Sequence, residues 1–245
     1  MSAAAPDIIR LDAVGSTMDA LHALAASGAV AGTAVVAQSQ SAGRGSRGRS
    51  WSSPPGGLWV SVLSRPATAG LELVSFRTGL AVAEALGRLG AGDRIRLKWP
   101  NDLMLDERKA GGILCEARWQ GASLAWIVIG LGLNVENRPP TEVEASAARL
   151  RDVLPGITAD ALAEPVIAAV RGVDAAAGLL TDAEHARFAS RDWLRGRAIE
   201  APAAGTAAGV ADDGALLVRR PDGTTAVVRA GTVVLAGAPS ARSGT

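Results

Sequence analysis

Apolar and polar positions along this chain alternate in short runs, which glycine, proline and small polar clusters separate. Ile8–Val14 reads as a first strand. Gly15-Ser16-Thr17-Met18-Asp19 then supplies a turn and a helix N-cap, with Asp19 in the first turn of a helix that runs to about residue 26 and stops at Ser27-Gly28. Ala34-Val35-Val36-Ala37 reads as a buried strand, and Leu58-Trp59-Val60-Ser61-Val62-Leu63 as another. A long apolar helix over 71–89 ends at Gly90. Residues 95–99 form the next strand, cut off by Pro100. A hairpin follows, out through 103–105, around Asp106-Glu107-Arg108 and back through 109–116. Residues 124–131 add a strand, 137–148 read as loop, and helical patterning covers 159–180 and 183–194. From about Gly196 the composition shifts. Short strands alternate with turns such as Asp212-Asp213-Gly214 and Pro221-Asp222-Gly223-Thr224, which predicts a small all-β barrel of about 45 residues. The expected division is a main domain over 8–195 and a β domain over 196–237, with 1–7 and 238–245 disordered.

Composition narrows the function classes. A length of 245 residues with 48% hydrophobic content supports one large core and a small appendage. A net charge of +1 gives no global pull toward nucleic acid or membrane, so basic character must be local. The single cysteine, Cys115, excludes an intrachain disulfide and fits a reducing compartment; its apolar neighbours favour a buried structural thiol. The two histidines, His22 and His185, lie far apart in sequence and offer little to a histidine metal site or a Ser-His triad. No secretory leader and no apolar run of membrane-spanning length is present, so a cytoplasmic protein is expected.

The local basic character sits in Gly43-Arg44-Gly45-Ser46-Arg47-Gly48-Arg49, within the stretch 38–51 that directly follows the buried strand. Glycines let bare backbone approach a ligand, and arginine forks suit carboxylate or phosphate. A solvated surface loop would look similar. Gly43, Gly45 and Gly48 also spell the dinucleotide fingerprint, but Ser50-Trp51-Ser52-Ser53-Pro54-Pro55 cannot open the helix that fingerprint requires, and no Walker lysine follows. An anion-binding loop closing over an acyl-phosphate needs partners elsewhere. Lys98 to Asp102, with Lys109 to Gly112, and Gly130 to Asn134 are the other polar clusters that punctuate buried strands. Lys109, one of only two lysines, precedes Ala110-Gly111-Gly112, where side chains shrink to admit a ligand. It is placed to hold negative charge, although a surface lysine at a strand start would read alike.

These segments resemble the biotin–protein ligase family. Gly43-Arg44-Gly45 through Trp51, Lys98-Trp99-Pro100-Asn101-Asp102, Lys109-x-x-Gly112-Ile113-Leu114 and Gly130-x-Gly132-x-Asn134-Val135 occur in family order and spacing, led by Ser16-Thr17 and Gln40. The resemblance covers residues 8–195 as the catalytic domain, and 196–237 fit the family's SH3-like cap. It implies an α+β fold, a mixed β-sheet of the class II aminoacyl-tRNA synthetase type flanked by helices, with a small C-terminal SH3-like barrel. The implied chemistry joins ATP and biotin into biotinyl-5′-AMP. A lysine of a biotin carboxyl carrier domain of a carboxylase then takes the biotin and releases AMP. Such chemistry needs orientation and charge neutralisation rather than a protein nucleophile.

By the same resemblance, Ser16, Thr17, Met18, Gln40, Gly43, Arg44, Gly45, Ser46, Lys109 and Gly112 would bind biotin. Arg47, Arg49, Trp51, Asn101, Asp102, Lys109 and Asn134 would bind ATP or the adenylate, with Lys109 and Arg44 catalytic and Asp102 helping the incoming amine. Trp51 could pack over the closed loop, whereas Trp59 and Trp99 also suit core packing. Magnesium is expected with ATP, though the sequence names no ligand for it. Sheet-edge homodimers occur in the family. The few residues before the first strand leave no room for the DNA-binding domain some members carry, which suggests a monofunctional enzyme with no DNA partner and no membrane partner.

Ser46 departs from the pattern, since many relatives carry arginine there. The missing charge should weaken retention of the adenylate; either Arg47 compensates or the loop orders less tightly. Two other readings stay open, a lipoate or octanoate ligase-transferase and a non-catalytic biotin- or nucleotide-binding module.

Overall fold

The computed structural model describes residues 6–66, 68, 70–176 and 178–237. The expected disorder of 1–5 and 238–245 lies outside these residues. Within them, four α-helices and twelve strands form. β1 (Ile8–Val14), β2 (Ala34–Gln40), β3 (Leu58–Ser64), β4 (Ile95–Lys98), β5 (Asp102–Leu105), β6 (Arg108–Gln120) and β7 (Ser123–Leu133) make one sheet, ordered β1-β2-β3-β7-β6-β5-β4. Only β1 and β2 run parallel, so the sheet is mixed.

Strand alternation sorts its two faces. Ala34 and Val36, Val60 and Val62, and Ile127, Ile129 and Leu131 enter the main core with α2 (Leu71–Leu86) and α3 (Ala159–Arg171). Val35, Leu63 and Val128 point the other way and pack against α1 (Thr17–Ala26) through Met18, Leu21 and Ala25. Ser16 caps α1, its hydroxyl accepting from Met18 N–H, and Gly28 at φ +95° ends the segment.

The second helical stretch departs from its sequence pattern. Helix α3 stops at Arg171, and 172–176 and 178–180 leave the helix. The alanine-rich pattern is overridden by Arg77 of α2, which donates to the carbonyls of Asp174, Ala176 and Leu179 while its Nε holds Glu184 at 2.7 Å. Glu184 belongs to α4 (Asp182–Arg191) and forms a capping box with Thr181. The first long helix also ends a turn early, passing into a π-helical turn at Gly87–Ala91.

The C-terminal strands β8 (Ala198–Ala201), β9 (Gly205–Val210), β10 (Leu216–Arg219), β11 (Thr225–Val228) and β12 (Val234–Leu235) form an antiparallel sheet ordered β11-β10-β9-β8-β12. β11 and β12 are its two edges and do not pair with each other among the described residues, so the sheet is not closed as the expected barrel would be. Its buried side chains, including Ile199, Val210 and Val218, join the main core, and Trp99 Nε1–H donates to Gly214 O at 3.0 Å. Trp59 is fully buried, so both tryptophans are core residues. No helix among the described residues is long and apolar enough to cross a membrane.

Candidate active site

On the α1 face, strand alternation brings small residues of three strands into register. Gly112 pairs with Gly132 and Leu114 with Gly130 across β6 and β7, and Ser61 of β3 pairs with Gly130. The missing side chains leave a cavity of about 440 Å³ above the sheet. A Cβ on Gly132 would stand 2.7 Å from Trp51 Nε1, and one on Gly130 would stand 2.7 Å from Met18 Sδ. A side chain at Gly132 would have to displace the Trp51 indole, whereas at Gly130 the flexible end of Met18 can give way.

One end of the cavity is neutral. Gln40 Oε1 accepts from Thr17 N–H (2.8 Å) and Thr17 Oγ1–H (3.1 Å). A carbonyl oxygen can only accept, so the Thr17 hydroxyl spends its hydrogen there, and Ser61 Oγ must donate to Thr17 Oγ1 across 2.9 Å. Gln40 Nε2–H goes to Ser53 Oγ (2.8 Å), and Ser53 donates to Trp51 O (3.1 Å).

The other end is charged. Lys109 Nζ lies 2.5 Å from Asp102 Oδ1 and 5.1 Å from the centre of the Trp51 ring. Arg44 reaches Asp19 through Nη1 (2.9 Å) and Glu116 through Nη2 (3.3 Å), while its buried Nε–H has no partner among the described residues. Asn134 Oδ1 accepts from Asn137 Nδ2 at 3.0 Å. Asn101 commits its amide to Ile113 O at 2.6 Å, which fastens the Pro100 turn to β6.

Most of the sequence candidates come together here. Ser16, Thr17, Met18, Gln40, Arg44, Gly45, Ser46, Arg49, Trp51, Asn101, Lys109, Gly112 and Asn134 line the cavity. Three do not. Gly43 sits behind the loop, where a Cβ would meet Trp51 O at 2.4 Å. Asp102 stands behind Lys109, and Arg47 turns away at φ +61° to donate to Thr232 Oγ1 beside the C-terminal sheet. The proposed compensation of Ser46 by Arg47 thus finds no support in this arrangement. Ser46 instead holds Arg49, whose Nε and Nη2 donate to its carbonyl (3.2 Å) and hydroxyl (3.1 Å). Lys98 does not line the cavity; it lies 5.4 Å from the Trp193 ring, and burial lowers its pKa. Cys115 is half-buried against the main core rather than fully buried, and desolvation pushes its thiol up to about 12.

The sequence reading missed one wall. Pro139, Pro140, Val143, Ser146 and Ala147 also line the cavity. Their loop is pinned by Ala148 N–H to Lys109 O (2.8 Å) and Leu150 N–H to Asn134 O (2.9 Å). Both anchors are backbone groups, so no periodicity marks them; only the apolar content of the loop hints at a wall.

Residues 12–134 match the Biotin/lipoate A/B protein ligase family. The chain belongs to this family. It is 49% identical over 113 residues to the bifunctional ligase/repressor BirA of Escherichia coli K12, covering 44% of this chain and 34% of that one. It is 37% identical over 147 residues to the biotin–[acetyl-CoA-carboxylase] ligase of Mycobacterium tuberculosis, covering 57% and 53%. The matched segments thus span about a third to a half of these relatives' lengths. Among solved structures, the biotin protein ligase of Aquifex aeolicus in complex with biotin and ATP is 26% identical, with a TM-score of 0.75, covering 94% of this chain and 98% of that one. The mixed sheet with flanking helices is this family's fold.

Proposed function

We propose that the chain is an ATP-dependent biotin–protein ligase that forms biotinyl-5′-AMP and passes biotin to a lysine of a biotin carboxyl carrier domain. The C-terminal sheet is then the SH3-like cap, and the work belongs to a reducing compartment. The observation that carries this reading is a single cavity, neutral and hydrogen-bonded at one end, with Arg44, Arg49 and Lys109 at the other. That polarity matches a ligand with a neutral ring and an anionic tail.

The biotin carboxylate attacks the α-phosphorus of ATP, a phosphoanhydride bond breaks and pyrophosphate leaves. Charge gathers on phosphate oxygens, where Lys109 is placed to neutralise it. Lys109 must first leave Asp102, and that exchange frees a carboxylate. The carrier amine then attacks the acyl carbon, AMP leaves with the electrons of the broken bond, and Asp102 takes the amine's proton. The two steps are thereby coupled through one ion pair. Magnesium is expected to arrive on the ATP phosphates, which supply most of its oxygen ligands.

The test is exchange of labelled pyrophosphate into ATP with biotin, lipoate or octanoate, for the wild type and Lys109→Ala. Exchange with biotin alone, lost in the variant, supports the reading. Exchange with lipoate or octanoate alone moves the chain to the lipoate branch, and silence with all three leaves a binding module.

A further inference from the structure

Behind the charged end lies a relay that the proposed chemistry does not use. His22, on α1, is 8% exposed and lies between Trp126 of β7 and Glu116 of β6. Trp126 Nε1–H stands 3.0 Å from His22 Nδ1, and an indole N–H can only donate. Nδ1 is therefore the unprotonated nitrogen. The ring proton sits on Nε2, which donates to Glu116 Oε2 at 3.1 Å. The same Oε2 accepts from Arg44 Nη2, and Asp19 takes Nη1. With one contact on each terminal nitrogen, the guanidinium is held at two points, and its buried Nε–H has no partner among the described residues.

Resting on the ligase reading of Arg44, we propose that His22 is a positioning residue. The Trp126 indole sets its tautomer, and its Nε2–H holds Glu116 where that carboxylate orients the Arg44 guanidinium at the cavity wall.

A second proton on His22 would set Nδ1–H against the indole N–H, two donors face to face. The charged groups around the ring are Glu116 and Arg118 on β6, Arg44 from the loop, Asp19 on α1, and Arg65 over the Trp126 ring at 5.4 Å. Burial lowers the His22 pKa, opposed by Glu116 and aided by Arg118 and Arg44. The relay therefore delivers a neutral donor to Glu116 and leaves the carboxylate's charge for Arg44.

The experiment combines nitrogen NMR with exchange kinetics. Two histidines keep the spectrum simple. The expected result is the Nε2–H tautomer for wild-type His22; the Nδ1–H tautomer overturns the proposal. His22→Leu should raise the KM for biotin about fivefold, with kcat changing less. His22→Gln, which keeps an amide donor near Nε2, should recover most of that loss. Equal constants for His22→Leu and wild type overturn the proposal, as does a failure of His22→Gln to differ from His22→Leu. In Trp126→Phe the freed Nδ1 should take a proton at higher pH than in wild type, so KM should rise more steeply than in wild type as the pH is lowered. A wild type silent in exchange, yet holding the Nε2–H tautomer, would defeat the ligase reading alone. Solvent exchange of the Arg44 Nε proton, faster in His22→Leu than in wild type, would then judge the relay, and an unchanged rate would end it.

Discussion

The two ends of the cavity are built on opposite principles. At the neutral end, Ser61, Thr17, Gln40 and Ser53 form a hydrogen-bond chain whose directions are all settled before any ligand arrives. At the charged end, Lys109 is held by Asp102, and Arg44 by Asp19 and Glu116, each pair a truce between opposite charges. A neutral network fixed in advance discriminates by shape and by donor pattern. A charged one must exchange partners when an anion binds, and each exchange releases a carboxylate. The contrast assigns selectivity to one end and the timing of chemistry to the other.

The harshest way to break the contrast is Lys109→Ala. Removing the one movable ammonium should lower the rate of pyrophosphate exchange about 10²–10³-fold, with a much smaller change in the KM for biotin. A loss confined to KM would show that the lysine only binds. Glycine substitutions come next. Gly132→Ala sets a methyl against the Trp51 indole, so about 1–3 kcal/mol should disappear from kcat/KM while the melting temperature moves little. Gly111→Ala meets Gly132 O at 2.6 Å and Leu133 Cδ2 at 2.5 Å on the core side, and should cost stability instead. Thermal melts beside kinetics separate the two; identical profiles would defeat the two-faced account of the sheet. A gentler probe is Ser61→Ala, which deprives Thr17 of its donor without touching the cavity wall. It should raise the KM for biotin about fivefold and leave that for ATP unchanged.

Much of this was legible in the sequence because strand periodicity and the polar clusters report the same thing. The runs around Ala34–Gln40, Leu58–Ser64 and Ser123–Leu133 announced buried strands, and the glycines among them announced space. What stayed hidden depended on partners distant in sequence. Arg77 captures the carbonyls of Asp174, Ala176 and Leu179 and ends a helix that alanine periodicity would continue. Thr232 draws Arg47 away from the cavity its neighbours line. The loop wall at 139–147 is anchored by backbone groups and by Arg108, which donates to the Ala147 carbonyl, none of which leaves a periodicity to read. His22, dismissed as a catalytic histidine on grounds of isolation, gains a partner only because β6 and β7 place Glu116 opposite Val128, with Trp126 two residues on along the same face.

The smallest expected effect concerns Ser46, and it sharpens the contrast from the charged side. Ser46 lines the cavity and uses its hydroxyl and carbonyl to hold Arg49. Ser46→Arg would add a positive charge and remove the hydroxyl that Arg49 Nη2 donates to, so a second guanidinium could turn toward the adenylate phosphate. Both changes act at a loop that is largely exposed, where an added charge contributes at most about 1 kcal/mol and salt screens it. Release of preformed biotinyl-5′-AMP should therefore slow by about threefold at low ionic strength, and the difference should shrink as salt is added. A chase with unlabelled adenylate measures both rates. Equal release at low salt would mean that the loop retains its ligand by closure rather than by charge, and the charged end would then owe less to electrostatics than its arginines suggest.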